Sequence, residues 1–181
     1  MKLKVLGYIF FVAAAGLFIG ACASAPKGPA VALVGTPDWF LNPPQSTTVL
    51  YGTGTAKKQS LSLAKTTADN RAIEAVAQQV STRVKSMFKD FMKETGVDTN
   101  SEYLELTEKT TKNIVNVTLK GVKIEKRAVG PDQATVYSLA SYPVAGINNA
   151  VAESIKKEQN LYTKFQASQS FKELEKSTTQ Q

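Results

Sequence analysis

SLSLAKTTADNRAIEAVAQQVSTRVKSMFKDFMKETG, Ser60 to Gly96, is the stretch on which the fold turns. Leu61, Ala64, Ala68, Ala72, Val76, Val80, Val84, Met87 and Phe91 recur at steps of three and four residues, which places them on one face of an α-helix. Ser60 stands where an N-cap hydroxyl is needed, and Gly96 where a left-handed stop is needed. At 1.5 Å per residue this helix is roughly 50 Å long. Its apolar stripe opens with alanines, which permit close approach to a sheet. It ends with Met87, Phe88, Phe91 and Met92, which need a deeper pocket. That cluster reads as core, with a partner or lipid site as the alternative.

Upstream, Val49 to Ala56 reads as a β-strand carrying Gly52 and Gly54. The segment lacks the Lys-Ser/Thr ending of a P-loop and the third glycine of a dinucleotide fingerprint. Glycines in a strand instead let another backbone come close. Downstream, Thr99 to Asn113 reads as a polar helix. Glu102, Glu105 and Glu108 fall on a solvated face with Lys109 and Lys112 nearby, not in an acid–base or metal site. From Asn113 the period becomes two. Val115, Val117 and Leu119 alternate with polar residues, and Val122 and Ile124 continue after a phase shift at Lys120-Gly121 that predicts a bulge or bend. Gly130-Pro131-Asp132 is a turn signal, Gln133 to Tyr142 is a second strand of the hairpin, and Pro143 ends it. Val144 to about Lys176 reads as one further helix, and the terminal Ser-Thr-Thr-Gln-Gln as frayed.

These elements predict an α+β fold: a small antiparallel three-strand sheet, the long amphipathic helix across one face, and a C-terminal helix. A three-strand sheet has open edges, through which copies can associate.

The N-terminus sets the location. Lys2 and Lys4 precede an apolar run from Val5 to Phe18, and Ile19-Gly20-Ala21-Cys22 closes it. Basic start, apolar stretch and small residues before a cut are the parts of a secretory signal. The ending resembles the lipobox of bacterial lipoproteins. That resemblance implies cleavage before Cys22 and acylation of its thiol and new amine. Several acyl chains, each buried methylene adding roughly 0.8 kcal/mol, make release negligible. An uncleaved signal anchor is the alternative reading. The residue after Cys22 is Ala23, not aspartate, which under the enteric sorting rule implies the outer membrane. Residues 23–36, rich in Ala, Ser, Pro and Gly, read as a tether. Trp39, the single tryptophan, either packs on the domain edge where the chain enters or stacks on a ligand.

Composition excludes much chemistry. There is no histidine, so no Ser-His-Asp triad, Cys-His pair or histidine metal site exists. Cys22 is the only cysteine, so no disulfide staples the chain. No cofactor, metal or catalytic residue is expected. The net charge of +7 falls to +5 when Lys2 and Lys4 leave, and the basic residues form no stripe. Nucleic acid is therefore not an expected partner.

Several of these pieces occur in a recognisable order: Pro37-Asp38-Trp39, the Tyr51-Gly52-Thr53-Gly54 strand, and Ala68-Asp69-Asn70-Arg71-Ala72 opening an alanine-rich helix. Leu119-x-Gly121-Val122-x-Ile124 and Val136-Tyr137-Ser138-Leu139-Ala140 follow. The set resembles the LPP-twenty family of small bacterial surface lipoproteins, flagellar lipoproteins included, over roughly residues 36–157. The resemblance implies a dodecin-like sheet and helix, an outer-membrane or surface location and no enzymatic activity. Its flagellar branch forms rings or discs around the motor. Arg71 is the charged motif position of interest, either solvating the helix or bridging it to the sheet or a neighbouring copy.

The expected organisation is a signal peptide (1–21), a lipidated cysteine and tether (22–36), one α+β domain (37–160) and a C-terminal helical extension (161–181). The expected role is a non-enzymatic structural lipoprotein of the outer membrane, a homo-oligomer with flagellar motor components among its partners. The alternative is a periplasmic binding module, using the Trp39 and Tyr51 region to regulate an envelope enzyme such as a peptidoglycan synthase.

Overall fold

The computed structural model describes residues 35–96 and 101–179, the Glu102 side chain excepted. The expected signal peptide, Cys22, the tether as far as residue 34 and the last two glutamines lie outside the described residues. The elements run α1 (Asp38–Leu41), β1 (Val49–Lys57), α2 (Leu61–Thr95), α3 (Ser101–Leu119), β2 (Lys123–Val129), β3 (Thr135–Pro143), α4 (Val144–Lys157), α5 (Gln159–Phe165) and α6 (Gln169–Thr179). The sheet is antiparallel in the order β1-β3-β2, and α2 crosses one face of it.

The long helix begins and ends as its caps dictate. The Ser60 hydroxyl accepts the Leu63 amide, and Gly96 closes the helix at φ 63° with its amide on the Met92 carbonyl. Ala64, Ala68, Ala72, Val76, Val80, Val84 and Phe88 are all fully buried. Phe88 takes the place expected of Met87, which is half-buried, and Leu61 is exposed.

The glycines of β1 explain how the helix reaches the sheet. A Cβ at Gly52 would lie 2.5 Å from the Ala72 carbonyl oxygen, and one at Gly54 would collide with the Ala68 carbonyl and the Ala72 amide. Helix backbone thus rests on strand backbone. Two strand residues advance about 6.6 Å and four helix residues about 6 Å, so glycines two apart match alanines four apart.

Two sequence-based expectations change. Residues 113–119 continue α3 instead of starting a strand. Thr107, Thr111, Ile114 and Thr118 are buried at helical spacing, while Val117, counted toward an inward strand face, is 60 % exposed. Threonines thus make up most of the inward face, and Thr111 donates its hydroxyl to the Thr107 carbonyl at 2.7 Å. The phase shift at Lys120-Gly121 is the turn that ends this helix. The bulge lies further on, between Ile124 and Lys126.

The single C-terminal helix is three. The chain becomes extended at Glu158 (φ −97°, ψ 92°), and a second break precedes Ser168, whose hydroxyl accepts the Phe171 amide. Helix α6 persists to Thr179, so of the stretch expected to fray, residues 177–179 are helical. The breaks fold Leu161, Phe165, Phe171 and Leu174 back onto α2 and α4, in one cluster with Phe88, Phe91, Ile147, Val151 and Ile155. Phe91 meets Phe165 and Phe171 at ring-centroid distances of 5.5 Å each. A smaller cluster of Ala56, Ala64, Ala68 and Val136 closes the other end.

Candidate interaction site

The face of the sheet opposite α2 carries Val49, Tyr51, Thr53 and Thr55 from β1 and Tyr137, Leu139 and Ser141 from β3, by strand alternation from the buried Gly52, Gly54, Val136 and Ser138. Its hairpin end is covered. Phe40 packs on Tyr137 at 4.9 Å in an edge-to-face pair, and the Tyr137 hydroxyl hydrogen-bonds to Thr36 at 3.3 Å. Trp39 stands behind Phe40 at 6.4 Å, half-buried. The sheet contact at chain entry is thus made by Phe40, a residue the sequence reading passed over.

Tyr51 sits at the other end of the strand pair, opposite Ser141, while Tyr137 is opposite Thr55. Trp39 and Tyr51 therefore do not form one aromatic patch. Tyr51 instead lines a groove of about 450 Å3 with Pro44, Lys123, Lys126 and Leu139. Within it the Ser141 hydroxyl donates to Glu125 at 2.6 Å.

Arg71 is exposed on α2 and donates through Nη1 to the Thr55 carbonyl of β1 at 2.5 Å. Two turns on, Gln79 Nε2 donates to the Tyr51 carbonyl at 2.7 Å. The ion pair that ties helix to sheet is formed by a neighbour in the same motif. Arg127 of β2 reaches Asp69 through two arms, Nε to Oδ1 and Nη2 to Oδ2, each 2.9 Å, and the Ser138 hydroxyl donates to Oδ1 at 2.7 Å. Partial burial pushes the Asp69 pKa up, but the hydrogen bonds from Arg127 and Ser138 outweigh it and leave the carboxyl below its ordinary value. The bulge at Glu125 aims Arg127 at Asp69, because it shifts the alternation so that residue 127, opposite Ser138, faces α2.

A second polar contact joins the end of α2 to the start of α6. Glu94 accepts from the Ser168 hydroxyl at 2.6 Å, from the Ser170 hydroxyl and from the Ser170 amide at 3.0 Å. These bonds hold its pKa down at about 2. Among the described residues no three His, Cys, Asp or Glu side chains are grouped to hold a metal ion, and no helix is long and apolar enough to cross a membrane.

Fold and surfaces define a small α+β packing domain whose polar contacts hold its own helices to its own sheet. A family model described as LPP20 lipoprotein matches residues 37–142, more than half of the chain, and the chain belongs to that family. The family places it among lipoproteins of the cell envelope and is not known for enzymatic activity. No curated protein matches the chain.

Proposed function

We propose that this chain is a lipid-anchored structural protein of the outer membrane whose copies associate with one another. Cys22 is the anchor, residues 1–21 are removed, and residues 22–36 tether the domain that follows. Membership of a lipoprotein family over residues 37–142, downstream of a lipobox-like ending at Cys22, carries the reading. The narrower form of the proposal is a disc at the flagellar motor.

Labelled palmitate should enter the wild-type chain and not Cys22→Ser, and only the wild type should fractionate with outer membranes. Electron cryotomography of motors in a strain lacking the gene, with a swimming assay, tests the narrower form. Loss of a membrane-associated disc, rescued only by the version retaining Cys22, supports it. Intact motors and normal swimming end it.

A second reading has the groove beside Tyr51 in its favour: regulation of an envelope enzyme by a binding module. A photo-crosslinking residue at Tyr51 separates the two, giving adducts between copies under the first reading and adducts with the enzyme under the second.

A further inference from the structure

The two edges of the sheet are guarded in different ways. β2 carries Lys123, Lys126 and Arg127 and is bulged at Glu125, features that discourage strand addition. β1 has no charged residue from Val49 to Ala56. Its outward backbone is instead occupied by side chains from α2. In an antiparallel strand alternate residues turn both backbone groups away from the neighbour. The Tyr51 and Thr55 carbonyls belong to that outward set, which Thr53 shares, and they are taken by Gln79 and Arg71. The fit is metric: four strand residues span about 13 Å and eight helix residues about 12 Å. Both guards are exposed, so either can swing into solvent without moving a buried group. A groove of about 480 Å3 runs along this edge, between Pro43–Ser46 on one side and Ala75 and Gln79 on the other.

We propose that the outer edge of β1 is the strand through which a second copy of this chain docks, β1 antiparallel to β1, and that Arg71 and Gln79 keep it closed until pairing displaces them. The strand is complementary to itself. A two-fold pair centred on Thr53 sets Tyr51 opposite Thr55 and Lys57 opposite Val49, so aromatic meets β-branched and no two charges face. The same operation on β2, centred on Lys126, sets that lysine against its own copy. This proposal rests on the self-association reading and names the surface for it.

The test uses the full chain in mild detergent. Analytical ultracentrifugation compares wild type with the Arg71→Ala/Gln79→Ala double variant, and circular dichroism checks that both are folded. Removing the guards should lower the dissociation constant at least about tenfold. Thr53→Cys in a Cys22→Ser background should form a disulfide between copies on oxidation, since paired Cα atoms about 5.5 Å apart lie in the range for one. Tighter association together with that cross-link upholds the proposal. Unchanged association, or a tighter one without the cross-link, overturns it, even where wild type assembles, and the self-association reading then survives on another surface. A wild type that stays monomeric beside a double variant that pairs and cross-links upholds the docking edge and overturns self-association of the unaltered chain.

Discussion

Between Ala64 and Val76, α2 meets the sheet backbone against backbone; between Val84 and Met92 it meets other helices through aromatic rings. The first contact depends on atoms that are absent. Its fit is set by the missing side chains of Gly52 and Gly54 and by the small ones of Ala68 and Ala72. The second depends on volume supplied by four rings from three helices, Phe88, Phe91, Phe165 and Phe171. One helix thus has an end that tolerates no added carbon and an end that tolerates no removed ring.

The sharpest break of that contrast is Phe91→Ala, expected to cost about 4 kcal/mol, the range for emptying a buried aromatic site. Phe91→Leu should cost clearly less, because it keeps most of the volume. Denaturant unfolding measures both, and equal costs would mean that the ring cluster is not what holds the C-terminal helices. Gly54→Ala comes next. It adds one methyl group against fixed backbone, and overpacking of that kind costs about 2–3 kcal/mol. A small or favourable effect would show that helix and strand can separate without penalty, contrary to the close contact described.

The mildest effect concerns acid. The Glu94 pKa is held down at about 2 in the folded chain, below its ordinary 4.5. A lowered folded pKa means stability that is present above 4.5 and is lost as the pH falls toward about 2. Protection of the α6 amides against exchange, taken relative to an unfolded chain at the same pH, should therefore fall over that window. Glu94→Gln should flatten this acid response, and an unchanged response would assign it to other carboxylates.

The two ends of α2 were also unequally legible. Ser60, Gly96 and the three-and-four spacing state the helix outright, and Gly52 and Gly54 state that something approaches β1. The polar pattern from Thr99 to Asn113 states most of α3, but Thr118 hides its last turns, because threonine counts as polar although this one is buried, and the exposed Val117 completes a false alternation. The breaks at Glu158 and before Ser168 fall on residues that are not helix breakers, and tertiary packing of Phe165 and Phe171 decides them. Of the candidate site, Arg71 was visible as a position but its acceptor was not, since a backbone carbonyl on β1 leaves no mark in composition. Asp69 and Arg127 stand 58 residues apart and meet only through a one-residue bulge that no pattern announced. Cys22, the residue with the clearest local signal, lies outside the described residues.

The seven buried positions from Ala64 to Phe88 recur at strict intervals of four. A helix completes a turn in 3.6 residues, so each interval oversteps a full turn by about 40°. Six intervals carry the stripe roughly 240° around the axis. The helix therefore behaves as a screw thread, presenting the sheet to one compass bearing and the aromatic cluster to another. One residue inserted near Val80 would turn the far half by about 100° while leaving every local propensity intact. Met87 and Asp90 would then point where the Phe88 and Phe91 rings belong, and the chain would keep its helix but lose the phase between its two ends.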